Sequence, residues 1–244
     1  MTFTVIIPAR FGASRLPGKP LLDIDGKPML QHTFERAQQS AASAVHIATD
    51  DQRIFDAAKA FGASVLMTAD THRSGTDRLH EAAMMLGLND NDVVVNVQGD
   101  EPLIPPAVIN QVAVNLEQHT EAGIATLCEV IANKAEIDNP NSVKVVFDKA
   151  GRALYFSRST IPHSGSASAS NCHRHIGIYG YRVAVLKQFI GWPPAELELS
   201  EKLEQLRALY NGVAIHVAVC QEKIPPGVDT LQDLELVREF IKAN

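Results

Sequence analysis

The 244-residue chain contains no apolar run approaching the ~20 residues needed to cross a bilayer, and no basic stretch or cleavage site precedes its first apolar segment. Both absences point away from membrane insertion and secretion. Its three cysteines, Cys128, Cys172 and Cys220, are odd in number and widely spaced, which argues against a disulfide framework and suits a reducing cytoplasm. A formal net charge of −6 without clustered Lys or Arg argues against general nucleic-acid binding. Two nucleotide signatures are also missing. Gly12 and Gly18 are one residue too far apart for a Walker A loop, and Pro20 stands where its hydroxyl should be. No Gly-x-Gly-x-x-Gly follows the first apolar run, so a Rossmann dinucleotide fingerprint is absent.

What the chain does have begins at Val5-Ile6-Ile7, which ends abruptly at Pro8. The following loop holds Gly12, Gly18 and three cations, Arg10, Arg15 and Lys19. Glycines let backbone N–H groups approach phosphate oxygens, and cations neutralise them. On an acidic chain this loop would draw a polyanion to itself rather than to the general surface. The other reading is a solvated loop whose cations balance Asp23 and Asp25.

Short β-branched runs at Phe3–Ile7, Ala44–Ala48, Ser64–Met67 and Val93–Val97 alternate with helical patterns, one led by Pro28 and one ended by Gly62. Strands apolar at successive residues need cover on both faces, which implies a parallel sheet beneath helices. The expected fold class is therefore α/β, a doubly wound, mostly parallel sheet in a single domain over 1–244. A smaller β lobe is expected over about 131–181, where Val143–Phe147 and Ala153–Phe156 read as a strand pair turned by Asp148-Lys149-Ala150-Gly151. Ser164–Ser170 has the composition of a mobile loop. Alternation resumes with a strand Ile176–Tyr181, a helix Leu199–Tyr210, a strand Ala214–Val219 and a last helix Leu231–Ile241. In the first of these helices Leu199, Leu203, Leu206 and Tyr210 form the expected buried stripe, with Glu204 and Arg207 a solvated pair.

Ligands of open parallel sheets sit beyond the carboxyl ends of the strands. There Gly99 permits a sharp exit from the valine-rich strand, and Asp100 and Glu101 emerge beside the cationic loop. Gly-Asp-x-Pro is also ordinary turn chemistry, but a carboxylate beside phosphate oxygens suits Mg2+, which takes one or two carboxylates plus phosphate oxygens and water. Near the C-terminus Thr230 and Asp233 make a capping pair, which leaves Asp229 outside the cap as a second candidate ligand.

Seven ordered segments together resemble one family. They are Pro8-Ala9-Arg10, Arg15-Leu16-Pro17-Gly18-Lys19-Pro20, Asn96-Val97-Gln98-Gly99-Asp100-Glu101-Pro102 and Leu154-Tyr155-Phe156-Ser157-Arg158, followed by Arg174-His175-Ile176-Gly177-Ile178-Tyr179-Gly180-Tyr181, Leu203-Glu204-Gln205-Leu206-Arg207 and Gly227-Val228-Asp229-Thr230. The chain resembles the 3-deoxy-manno-octulosonate cytidylyltransferases nearly end to end. The resemblance implies a nucleotide-diphospho-sugar transferase-type fold and transfer of CMP from CTP to 3-deoxy-D-manno-octulosonate (KDO), releasing pyrophosphate, for lipopolysaccharide biosynthesis. It further implies Mg2+ on Asp100 and Asp229, with Lys19 also catalytic. Pro8, Ala9, Arg10, Arg15, Lys19, Ser74 and Gln98 would form the nucleotide site, Ser74 doubling as a helix cap. Arg158, His175, Tyr179, Glu204 and Gln205 would form the sugar site, Arg158 taking the carboxylate. A cytoplasmic homodimer is expected on the same ground. Two alternatives stay open on the motifs: transfer to the 8-amino analogue or another sugar acid, and a non-catalytic nucleotide-binding regulator.

Overall fold

The computed structural model describes residues 2–12, 16–72, 74–163, 172–225 and 227–243. Arg15 and the Ser164–Ser170 loop lie outside the described residues. In the first half, β1 (Phe3–Ala9) leads through the loop and a 3-10 turn, Lys19–Leu21, to a small hairpin of β2 (Asp23–Ile24) and β3 (Lys27–Pro28). Strand and helix then alternate: α1 (Met29–Gln38), β4 (Ala44–Thr49), α2 (Gln52–Ala60), β5 (Ser64–Met67), α3 (Gly75–Met85) and β6 (Val93–Asn96). The continuous apolar character of β1 has a direct cause. Val5 and Ile7 enter the core on one face of the sheet and Ile6 the core on the other, because successive strand side chains alternate.

The second half continues with α4 (Pro106–Gln118), β7 (Ile124–Val130) and the short α5 (Lys134–Ile137). A hairpin of β8 (Lys144–Phe147) and β9 (Ala153–Ser157) precedes the long β10 (His173–Arg182). Then come α6 (Val183–Phe189), α7 (Glu196–Glu201), α8 (Gln205–Tyr210), β11 (Ile215–Val219) and α9 (Leu231–Ala243). The main sheet has the order β11-β7-β10-β6-β1-β4-β5, with β8 and β9 joined to it through the start of β10. β1 runs parallel to β4 and β6, β4 to β5, and β11 to β7. Along this path β10 is the reversed strand, antiparallel to both β6 and β7, and β9, paired through β8, runs the same way. The sheet is therefore mixed but mostly parallel, with helices on both faces, and the reversed strand lies inside it, between β7 and β6.

One expected element is different. Leu199–Tyr210 is not one helix: Lys202 adopts a left-handed backbone (φ 53°, ψ 48°) and separates α7 from α8. The break turns α8 relative to α7, so the stripe does not hold. Leu203 and Leu206 are buried, whereas Leu199 and Tyr210 are 64% and 65% exposed. Nor do Glu204 and Arg207 form a solvated pair. Arg207 makes a fork of hydrogen bonds to Glu198, and Glu204 accepts the Thr76 hydroxyl at 2.6 Å.

Candidate active site

β1, β4, β5 and β6 are mutually parallel, so their carboxyl ends share one edge of the sheet. Two chain segments meet tightly there. A Cβ placed on Gly99 would lie 3.1 Å from the Pro8 carbonyl, so glycine lets β6 exit this close to the end of β1 without displacing it. The turn places Asp100 facing Lys19, whose ammonium donates to Asp100 Oδ2 at 2.6 Å, to the Val228 carbonyl at 2.7 Å and to Asp229 Oδ1 at 3.3 Å. The Val228 N–H closes the junction by donating to the Asp100 carbonyl at 2.8 Å. Thus Lys19, of the loop cations, is taken up by Asp100 and Asp229 rather than by Asp23 or Asp25.

Pro8, Ala9, Arg10, Lys19, Gln98, Asp100 and Asp229 all line a cleft of about 220 Å³ at this edge. A second lobe of about 140 Å³ shares Pro8, Ala9, Arg10 and Gln98 and adds Ser74. Ser74 is the N-cap of α3: its hydroxyl accepts the Asp77 N–H, and the Asp77 carboxylate accepts the Ser74 N–H. The cap and the cleft wall are the same residue. At the C-terminal side, Thr230 and Asp233 make the expected reciprocal cap ahead of α9.

Asp100 and Asp229 reach a single cationic atom, so their oxygens converge. Among the described residues no group of three or more His, Cys, Asp or Glu could hold a metal. Two converging carboxylates without a fuller cage are the donor set that suits Mg2+ shared with a phosphorylated ligand. Beside them, burial and the neighbouring Asp100 carboxylate push Glu101 up to about 8, so it is mainly protonated and neutral at pH 7.

Sequence reasoning missed the support beneath the second lobe. Arg78, only 4% exposed, donates to Asp50 and to the Thr68 hydroxyl, and it lines that lobe. This ties the first turns of α3 to the chain just beyond β4 and β5. His72, also in the lobe wall, is bonded to Glu81 of α3. Nothing local marks either contact: the partners are ordinary polar residues that the fold, not their spacing, brings together.

The sugar-site candidates form a second group. His175 lies in β10 with Nε2 3.1 Å from the Thr126 hydroxyl oxygen, its ring edge-on to Phe156 at 5.0 Å and 5.3 Å from the Tyr179 ring. Burial holds its imidazole down at about 3, so it is neutral. Burial, with Tyr181 and Glu204 nearby, raises the Tyr179 phenol well above its ordinary value. Glu204 receives Thr76 on one oxygen, while its buried Oε1 has no hydrogen-bond partner among the described residues. An unpartnered buried acceptor costs free energy until a donor arrives. Gln205 opens α8 beside it and is part-buried. The two groups join at α3: Ser74 lines the second lobe, and Thr76 holds Glu204.

Arg158 is placed differently. Its guanidinium donates to the carbonyls of Glu201 at 2.8 Å, Pro140 at 3.0 Å and Lys202 at 3.4 Å. It therefore ties the end of β9 to the α7–α8 break. Lys144, fully buried, lies behind it and donates to the carbonyls of Asn139, Ser142 and Arg158 at 3.0, 2.6 and 2.8 Å.

Comparison with known proteins bears on this arrangement. The family model described as cytidylyltransferase matches residues 4–224. A 3-deoxy-manno-octulosonate cytidylyltransferase of Cellvibrio japonicus is 57% identical over 99% of this chain and 99% of its own. One from Haemophilus influenzae is 53% identical, with 100% of both chains covered. Among solved structures, a CMP:2-keto-3-deoxy-manno-octonic acid synthetase complexed with CTP superposes with a TM-score of 0.93 at 43% identity, covering 99% of this chain and 98% of that one.

Proposed function

The chain belongs to the 3-deoxy-manno-octulosonate cytidylyltransferase family, and from that premise we infer that it transfers CMP from CTP to KDO, with release of pyrophosphate. The observation that carries the mechanism is the Lys19 ammonium held between Asp100 and Asp229 at the edge of a cleft lined by Pro8, Ala9, Arg10 and Gln98. In this reaction the sugar's anomeric hydroxyl attacks the α-phosphorus and pyrophosphate departs. Transfer of that kind asks the protein mainly for alignment and charge neutralisation.

Lys19 and Arg10 supply positive charge to the triphosphate, and Arg15 belongs with them by family resemblance. The cleft's second lobe, with Ser74 and Gln98 in its wall, takes the nucleoside end. Asp100 and Asp229 would hold Mg2+, which when bound lowers the charge barrier between nucleophile and triphosphate. Phosphate oxygens would then replace the carboxylates as partners of Lys19.

At the acceptor end, neutral His175, Tyr179, Glu204 and Gln205 offer the mixed hydrogen-bonding edges that sugar hydroxyls need. The unpartnered Glu204 Oε1 supports this placement, because a hydroxyl would complete it. Arg158 is the candidate for the sugar carboxylate; as the side chain is hydrogen-bonded to three carbonyls, it meets the acid with its remaining N–H groups. By family resemblance we extend this reading to a cytoplasmic homodimer whose product serves lipopolysaccharide assembly.

Pyrophosphate release with CTP and Mg2+ tests the proposal, comparing KDO, its 8-amino analogue, sialic acid and no sugar. Release with KDO alone is the expected result. A preference for the amino sugar would keep the chemistry and change the acceptor. Silence with every sugar, in folded protein that still binds CTP, would favour a regulatory nucleotide-binding protein instead.

A further inference from the structure

β10 does not run evenly past β7. Its register shifts between Ile176 and Tyr179, so Gly177 and Ile178 form a bulge between the two sugar-site candidates His175 and Tyr179. Bulges re-aim the side chains that flank them. Thr126 of β7, fully buried, lies against this bulge and pairs in register with Tyr179. Its Oγ1 is 2.7 Å from the Ile178 carbonyl, 3.0 Å from the Ile176 carbonyl and 3.1 Å from His175 Nε2.

We propose that Thr126 is a positioning residue for the acceptor site: its hydroxyl fixes the bulge and holds His175 as the Nε2–H tautomer, leaving Nδ1 as an acceptor for a hydroxyl of the sugar acid. The argument is one of proton supply. A threonine hydroxyl has one proton, and the two carbonyls can only accept. Turning that proton toward Nε2 would remove it from both carbonyls in favour of the longest of the three contacts. With the proton on the carbonyl side, Oγ1 has only lone pairs for His175, so Nε2 carries the hydrogen. A neutral imidazole protonated at Nε2 accepts at Nδ1 alone. Valine could fill the strand position but would supply neither contact; serine would supply both with poorer packing.

The proposal rests on the acceptor-site reading above and deepens it. Its first test is the tautomer itself, read from two-bond 1H–15N correlations of the 15N-labelled full chain without ligand. Wild type and Thr126→Ser are expected to show His175 as Nε2–H, and Thr126→Val to lose that preference. In kinetics Thr126→Val should raise KM for the sugar acid on the order of tenfold, the scale of one lost hydrogen bond, with KM for CTP unchanged and near-normal values in Thr126→Ser. An Nδ1–H wild type would overturn the proposal, whatever the turnover. So would an unchanged tautomer and unchanged sugar KM in Thr126→Val, or an equal rise in both KM values shared by Thr126→Ser. Should Thr126→Val fail to fold, the wild-type and Thr126→Ser spectra still decide. A wild type that is Nε2–H but turns over no sugar acid would instead overturn the acceptor-site reading, and the sugar half of this proposal with it.

Discussion

Replacing Asp100 by Asn separates what this carboxylate does for folding from what it does for the reaction. The substitution keeps shape and an oxygen acceptor for Lys19, and the Asp100 main-chain bond to Val228 is untouched. The lost charge matters little to the fold. The Asp100 side chain is 32% exposed, and a part-exposed ion pair contributes at most about 1 kcal/mol. For a chain of this size that lowers Tm by roughly 2–4 °C. In the transition state the same charge would help hold Mg2+ beside the triphosphate. Its loss there should reduce turnover on the order of 10³-fold, about 4 kcal/mol of barrier. The assay pairs pyrophosphate release at saturating CTP and sugar acid with a melting curve on the same preparation. Turnover within about tenfold of wild type at an unchanged Tm would refute the assignment of Asp100 to the reacting charge. A large fall in Tm would refute the claim that the ion pair is minor in folding.

Three other outcomes are expected. Lys144→Met strips the donor from three carbonyls, one buried and two part-buried; a loss of about 4 kcal/mol, or roughly 8–16 °C in Tm, should result, and a neutral effect would show that those carbonyls rehydrate freely. Arg158→Ala should raise KM for the sugar acid at least about tenfold more than KM for CTP; the opposite ranking would move Arg158 to the nucleotide site. The His175 imidazole is held at about 3 by burial, below its unfolded value, so the unfolded chain binds more protons as pH falls below about 6.5. Wild type should therefore lose about 2 kcal/mol more than His175→Gln on going from pH 7 to pH 5, measured by denaturant unfolding, and parallel pH profiles would show that the imidazole charges freely in the folded state.

The legible parts of this protein were those written in local chemistry. Runs such as Val5-Ile6-Ile7 and Val93-Val94-Val95 announce strands covered on two faces, and Thr230 with Asp233 announces the start of α9. The left-handed Lys202 escaped notice because neither Gly nor Pro marks it. The direction of β10 was equally hidden, since side-chain alternation is the same whichever way a strand runs. Asp100 and Asp229 were recognisable one at a time, but their convergence on Lys19, with Asp229 210 residues from it, belongs to the folded chain alone. Thr126 offered no signal at all, being a β-branched residue in an apolar strand.

The reversed interior strand also governs the order in which the molecule can be assembled. β6 and β7 are made early, yet neither touches the other; each pairs with β10, whose residues 173–182 are made later. A growing chain that has reached only α5 can close β1, β4, β5 and β6 around their helices, but β7 remains a strand without a neighbour. β11 in turn can join the sheet only on β7. Completion is thus delayed until β10 arrives, and open edges on β6 and β7 persist in the meantime. Such late, long-range closure slows folding and leaves edges that other chains can pair with. Synthesis that stalls before β10 would release an aggregation-prone fragment, whereas a stall after β11 would leave the whole sheet closed and only α9 to dock.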